Sequence, residues 1–154
     1  MINSIIDEIS IAINAEFGDD YKIHTESIEQ GLVEPCFSIV CINPTNKLFL
    51  GNTSESRHYR TNQFCIHYFP CGTLVEDDEV IGKNQEMMDV LDRLYSCLEV
   101  INDTDGNADV RGTDMHGEVA DGVLNFFVNY NFFTKTTYET SNMETYEQNT
   151  TVKG

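Results

Sequence analysis

Residues 121–133 read D-G-V-L-N-F-F-V-N-Y-N-F-F, and this stretch decides the fold class. Leu124, Phe126, Val128, Tyr130 and Phe132 alternate with Val123, Asn125, Phe127, Asn129, Asn131 and Phe133. Successive side chains of a strand point to opposite faces, so one row is apolar and the other mixes amides with aromatics. The first row faces a core, and the second is partly wet or meets a partner. Asp121-Gly122 has the chemistry of a tight hairpin turn. It joins two strands of opposite direction, Ala108 to Val119 and Val123 to Lys135.

The elements before this hairpin supply the layer that covers it. Met87, Leu91, Leu94, Leu98 and Ile101 follow a three-four rhythm that Met88 and Tyr95 widen, with Asn84 as N-cap, which predicts a helix. Ile2, Ile5, Ile6, Ile9 and Ile13 paint a similar stripe on an N-terminal helix ending near Gly18, with Ile11 on its opposite face. Between the helices, Tyr21 to Glu26 alternates weakly, and Cys36 to Ile42 is nearly all apolar, as in a central strand buried on both faces. Asn43-Pro44-Thr45-Asn46 reads as a turn, Lys47 to Leu50 as a further strand, and Gly51 to Ser56 as a polar tip. Arg57 to Phe69 is a strand with Phe64, Ile66 and Tyr68 on one face and Cys65, His67 and Phe69 on the other, broken by Pro70-Cys71-Gly72. Asn102 to Asn107 is a turn. The expectation is an α+β domain: a mixed, mostly antiparallel sheet of five to six strands packed against two helices. It occupies residues 1–135, followed by a polar tail over 136–154 that contains no Leu, Ile or Phe to bury.

Composition narrows the function. A chain of 154 residues with 40% hydrophobic side chains can bury roughly two-thirds of its unfolded surface in one domain. With 26 acidic against 9 basic residues the net charge is -17, which repels a phosphate backbone and excludes a dedicated DNA-binding module. Apolar runs stop short of the ~18 residues that cross a bilayer. The N-terminus also lacks a signal-peptide pattern, so a cytoplasmic protein with no membrane partner is expected. Cys36, Cys41, Cys65, Cys71 and Cys97 are odd in number and form no C-x-x-C pair, consistent with reduced thiols.

Candidate chemistry is thin. Asp103, Asp105, Asn107 and Asp109 resemble alternate calcium ligands, but the sixth position is Ala108 rather than Gly and the twelfth is Asp114 rather than Glu. A solvated turn explains them better. Cys65, His67 and Cys71 are zinc-type ligands without a second pair at finger spacing, so burial is the simpler account. Glu76-Asp77-Asp78-Glu79 reads as a wet loop, because four like charges in a row repel unless solvated. No serine has a nucleophile-elbow context, and no glycine-rich phosphate cradle is present, so no cofactor is expected. Arg57, Arg60 and Arg111 are a third of the basic residues and lie in or beside predicted strands, where each pairs with a carboxylate of its own chain or of an identical neighbour.

Several segments together resemble the small tail-terminator proteins of tailed phages and prophages of Gram-positive bacteria. They are I-I-D-E-I-S-I-A-I-N-A-E-F-G-D-D-Y-K-I from residue 5, E-P-C-F-S-I-V-C-I-N-P-T-N from 34, R-T-N-Q-F-C-I-H-Y-F-P from 60, D-V-R-G-T-D-M from 109 and the 121–133 stretch. The likeness covers most of Met1 to Lys135 and none of its motifs is catalytic. It implies a noncatalytic virion or tail-like-particle protein, made in the host cytoplasm, whose subunits form a six-membered ring. Such a ring caps the head-proximal end of the tail tube, ends tube polymerisation and offers a surface to the neck. The implied partners are further copies of the chain, the tail tube protein, the neck or connector protein and, in contractile tails, the last sheath layer. DNA passes through such a ring without specific binding, and excess acid suits a channel wall that must not hold the polymer. A ring needs two different complementary patches per subunit. The turn from Asn43 to Asn46, with Arg57 and Arg60, is the expected intersubunit contact, and Arg111 with Asp114 the expected ion pair, local or between subunits. A head-to-tail connector subunit is the alternative within the structural class, and a small metal- or thiol-dependent enzyme the alternative outside it.

Overall fold

The computed structural model describes residues 2–25, 35–70, 77–102 and 109–138, with 77–83 as backbone alone. Helix α1 spans Ile2–Phe17 and α2 spans Asp77–Cys97. The strands are β1 (Lys22–His24), β2 (Cys36–Gly51), β3 (Glu55–Phe69), β4 (Val100–Ile101), β5 (Val110–Ala120) and β6 (Val123–Thr137). They form one six-stranded sheet in the order β1-β2-β3-β6-β5-β4. β1 runs parallel to β2 with Lys22 opposite Cys36, and β4 and β6 run antiparallel to β5. Going from Asn62 to His67 on β3 goes back from Tyr130 to Asn125 on β6, since Asn62 Nδ2 donates to the Tyr130 carbonyl (3.0 Å) and His67 Nδ1 meets Asn125 Oδ1 (2.6 Å). The expected mixed, mostly antiparallel α+β fold with two helices is therefore the observed one.

Two compact units arise from this chain, one of Met1–Pro44 with Asn62–Asn131 and one of Thr45–Thr61 with the residues from Phe132. The larger holds the apolar core that the helical stripes and strand rows define. Ile5, Ile9, Ile13 and Phe17 from α1 and Met87, Val90, Leu91, Leu94 and Leu98 from α2 and its end are buried with Phe37, Phe64, Ile66, Tyr68, Leu124, Phe126, Val128 and Tyr130. Ile11, on the other face of α1, is exposed. Aromatic contacts join the layers: the Phe17 and Phe37 rings lie 4.9 Å apart, Phe37 and Tyr68 5.0 Å, and Tyr95 and Phe126 5.5 Å. The helices are tied together where the Arg93 guanidinium sits 4.1 Å over the Phe17 ring and pairs with Glu16 at 2.9 Å. Tyr130 donates from its buried hydroxyl to the Leu98 carbonyl at 2.7 Å, satisfying a group left free where α2 ends.

The smaller unit is built on side chains from β2, β3 and β6. The Thr45 and Thr61 hydroxyls hydrogen-bond, and the Phe133 ring lies 5.2 Å from Phe49 and 4.8 Å from Tyr59. Asn52 shapes the β2-β3 hairpin, its Oδ1 accepting from the backbone of Ser54 (2.8 Å) and Glu55 (2.9 Å). Tyr138 ties the end of β6 to that hairpin. Its N–H donates to the Ser54 carbonyl at 2.7 Å and its hydroxyl meets Ser56 Oγ at 3.1 Å.

Four expectations are corrected. Asn43-Pro44-Thr45-Asn46 is no turn, because β2 continues through it from Cys36 to Gly51. Among the described residues β1 pairs only with Cys36 to Ser38, so Pro44 lies on a stretch of β2 with one side open, the kind of position at which strands tolerate proline. α2 begins at Asp77, ahead of Asn84, so part of the expected acidic loop opens a helix. It ends at Cys97, and Ile101 belongs to the short strand β4. β6 reaches Thr137, two residues past the expected Lys135. The Asn102 to Asn107 turn, apart from Asn102, lies outside the described residues, as do Cys71 and most of the tail.

Candidate subunit interface

The six sequence-predicted contact residues separate between the units. Asn46, Arg57 and Arg60 fall in the smaller unit; Asn43, Arg111 and Asp114 fall in the larger. Asn43 and Asn46 are exposed along β2. Arg57 Nε donates to Glu55 Oε2 at 2.8 Å, two residues back on the same strand, and Lys135 Nζ approaches the other oxygen of Glu55 at 3.7 Å. Arg60 is half-buried, with its guanidinium carbon 5.9 Å from the centre of the Phe132 ring. Its Nε is buried and has no hydrogen-bond partner among the described residues.

Arg111 and Asp114 do not pair with each other within the chain. Arg111 donates to Glu99 at 2.8 Å across the β4-β5 ladder, and Asp114 accepts from Asn129 Nδ2 at 3.2 Å. Three apart on one strand, the two side chains start from opposite faces, and the backbone between them is irregular as well. The register of β5 on β6 slips between Thr113 and His116, and Asp114 takes a left-handed conformation with φ of 53°. A bulge of this kind re-aims the side chain. The Arg111 pair is solvated at both ends and contributes little to stability.

Sequence reasoning missed the most conspicuous feature of the smaller unit. Leu48, Phe49, Leu50 and Phe133 are 56%, 51%, 47% and 66% exposed, and Tyr138 of the same unit is half-exposed. Covering such side chains is worth about 1 kcal/mol each, given that about half their surface remains to be buried. The same segment presents open backbone. Among the described residues, β2 beyond Ser38 has no neighbour on the side away from β3, and β6 beyond Tyr130 has none on the side away from β3. Edges of this kind add strands from other chains. The signal in the sequence was the L-F-L run at 48–50 beside a polar hairpin tip, which reads equally well as a buried strand.

Among the described residues, Cys65 and His67 are the sequence-predicted pair whose geometry can be followed. Cys65 Sγ lies 3.9 Å from His67 Nδ1, the geometry of a thiol and its base. The same nitrogen is held by Asn125 at 2.6 Å, and burial, helped by the Glu118 charge, pushes the Cys65 thiol up to about 11. Burial, with Glu16 adding to it, pushes Cys97 up to about 12. A nucleophilic cysteine needs the opposite shift. Among the described residues no group of His, Cys, Asp and Glu has the arrangement to hold a metal ion. No described helix is long and apolar enough to cross a membrane.

A family profile described as phage tail terminator protein matches residues 4–143. The chain belongs to the phage tail terminator family. The match takes in both helices and all six strands, so the family relation applies to the whole described fold. The protein is thus a structural component of phage tails, and its place is the virion tail. Its partners are other tail components. A search of curated proteins finds no match. One solved structure aligns with 90% of this chain and 94% of its own at 12% identity and a TM-score of 0.33, too distant to carry an argument.

Proposed function

We propose that this tail terminator family member assembles as a closed ring, six-membered as the family resemblance implies, on the head-proximal end of the tail tube. The ring stops tube polymerisation and supplies the surface that the neck binds; it catalyses no reaction. The carrying observation is the exposed apolar side chains of the smaller unit, Leu48 and Leu50 on one face of β2 and Phe49 with Phe133 on the other, beside open strand edges. Each subunit of a ring needs two unlike patches. The smaller unit, with Asn46, Arg57 and Arg60, is one. Asn43, Arg111 and Asp114 belong to the other unit and are assigned to the complementary side. Residues 1–135 are the assembling domain and the polar segment beyond is available to neighbouring rings. The direct test is deletion of the gene followed by electron microscopy of tails: overlong tubes without heads are expected, and tubes of normal length contradict the terminator role. A connector subunit instead leaves tube length normal and tails unjoined.

A further inference from the structure

The part of β6 that belongs to the smaller unit has one bare side. From Phe132 to Thr137 it runs beside β3 and, among the described residues, has no neighbour on the side away from β3, so its outward backbone groups are unpaired. Phe133 and Lys135, two apart on the strand, share one face. Phe133 is 66% exposed, with the Phe49 and Tyr59 rings 5.2 Å and 4.8 Å from it. Lys135 is solvated and lies 3.7 Å from Glu55, an acid that already pairs with Arg57 at 2.8 Å. An open edge beside exposed apolar rings invites unwanted strand pairing, and proteins cover such edges.

We infer that residues 139–154 of the same chain fold back along this edge in the free subunit and cover Phe133, so that assembly has to displace them. The inference rests on the self-assembly reading above and adds a guard that keeps free copies apart until the assembly site competes for the surface. Position selects this occupant: the Tyr138 N–H donates to the Ser54 carbonyl at 2.7 Å and its hydroxyl meets Ser56 Oγ at 3.1 Å, which fixes the start of the segment at the hairpin end of β6. Length suffices as well, since 16 residues reach roughly 50 Å when extended and the edge from Phe132 to Thr137 needs roughly 20 Å, which leaves chain for a reversing turn. A short antiparallel return also carries the smallest closure cost. Charge agrees: the described part of the smaller unit holds Lys47, Arg57, Arg60 and Lys135 against Glu55, net +3, and the segment holds Glu139, Glu144 and Glu147 against Lys153, net -2. Its Thr140, Thr145, Tyr146, Thr150, Thr151 and Val152 are residue types that strands favour.

The test uses the full chain with a photo-crosslinking phenylalanine analogue at position 133, mixing isotopically light and heavy copies in dilute solution and locating crosslinks by mass spectrometry. Crosslinks to residues 139–154 within a single copy are expected. Glu144→Lys with Glu147→Lys should lower their yield severalfold, and adding Lys135→Glu, at a solvated position, should restore it. A chain ending at Tyr138 keeps the contacts to Ser54 and Ser56. In it, alternate amides from Phe132 to Thr137 should exchange roughly tenfold faster than in the full chain, with Phe64 to Tyr68 unchanged. The shortened chain should also self-associate at lower concentration in sedimentation. Mixed-isotope crosslinks to 139–154, no crosslinks to that segment, or exchange unaltered by the truncation each overturn the fold-back, and self-association equal to the full chain's overturns the guard. Tube length in the deletion strain reports on the ring alone, so either reading can fail without the other.

Discussion

A methyl group added at Gly112 would lie 2.8 Å from the Leu98 carbonyl oxygen and 2.9 Å from a Val128 methyl, where backbone and core both resist. Gly112→Ala should therefore destabilise the protein by about 1–3 kcal/mol in chemical denaturation. Gly117→Ala meets only the tip of the Leu91 side chain and should cost less. Tyr130→Phe strips the Leu98 carbonyl of its donor and should cost about 1–2 kcal/mol by the same assay. The buried thiols set the alkaline limit. Cys65 and Cys97 have folded-state values raised to about 11 and about 12 from 9.0, so above pH 9 the unfolded chain releases protons that the folded one keeps. Their contribution is fully present below pH 9 and is lost as pH rises towards 11 and 12. A denaturation series from pH 7 to 11 should show stability falling above pH 9, and Cys65→Ser with Cys97→Ser should flatten that fall; an unchanged slope contradicts it.

At the scale of elements, Tyr138 is the clasp between β6 and the β2-β3 hairpin. Ending the chain at Thr137 should speed amide hydrogen exchange at Ser54 to Arg57 relative to a chain ending at Tyr138, with Phe64 to Tyr68 unaffected. Elements whose pattern serves a single core were legible in the sequence: the isoleucine stripe of α1, the even-numbered row of β6 and the Asp121-Gly122 turn, whose φ values of 54° and 75° suit the hairpin chemistry. Legibility failed where local chemistry and tertiary position disagree. Asn43-Pro44 carries turn residues, yet an open strand edge accepts proline as readily as a turn does. Asp77 to Glu79 carry a run of like charge that reads as loop, yet the backbone there is already helical. Arg111 and Asp114 are three apart on a strand, a spacing that sets them on opposite faces, and no composition rule marks the bulge beside Asp114. Of the proposed contact surface, the arginines of β3 stand out in the sequence by rarity, whereas Leu48 to Leu50 look like core there because exposure is a property of the assembled sheet.

For the whole molecule, the family relation and the charge distribution point to a part that works by fitting other proteins. A net charge of -17 favours repulsion between free subunits in salt-poor solution, while the exposed apolar side chains of the smaller unit are surface that a specific contact would cover. Charge reversal at Arg57 and Arg60 should impair ring closure while leaving far-UV circular dichroism unchanged, because both side chains lie at least partly in solvent. Fully assembled rings from that double variant would dismiss their interface role. The central claim, that copies of this chain close a ring at one end of the tail tube, is tested most directly by an electron cryomicroscopy reconstruction of the head-proximal end of purified tails. The account predicts a ring of this fold seated on the last tube layer, with the surface around Leu48 to Leu50 and Phe133 covered by the adjoining subunit. A tube end without this chain, or a ring in which those side chains face solvent, contradicts it.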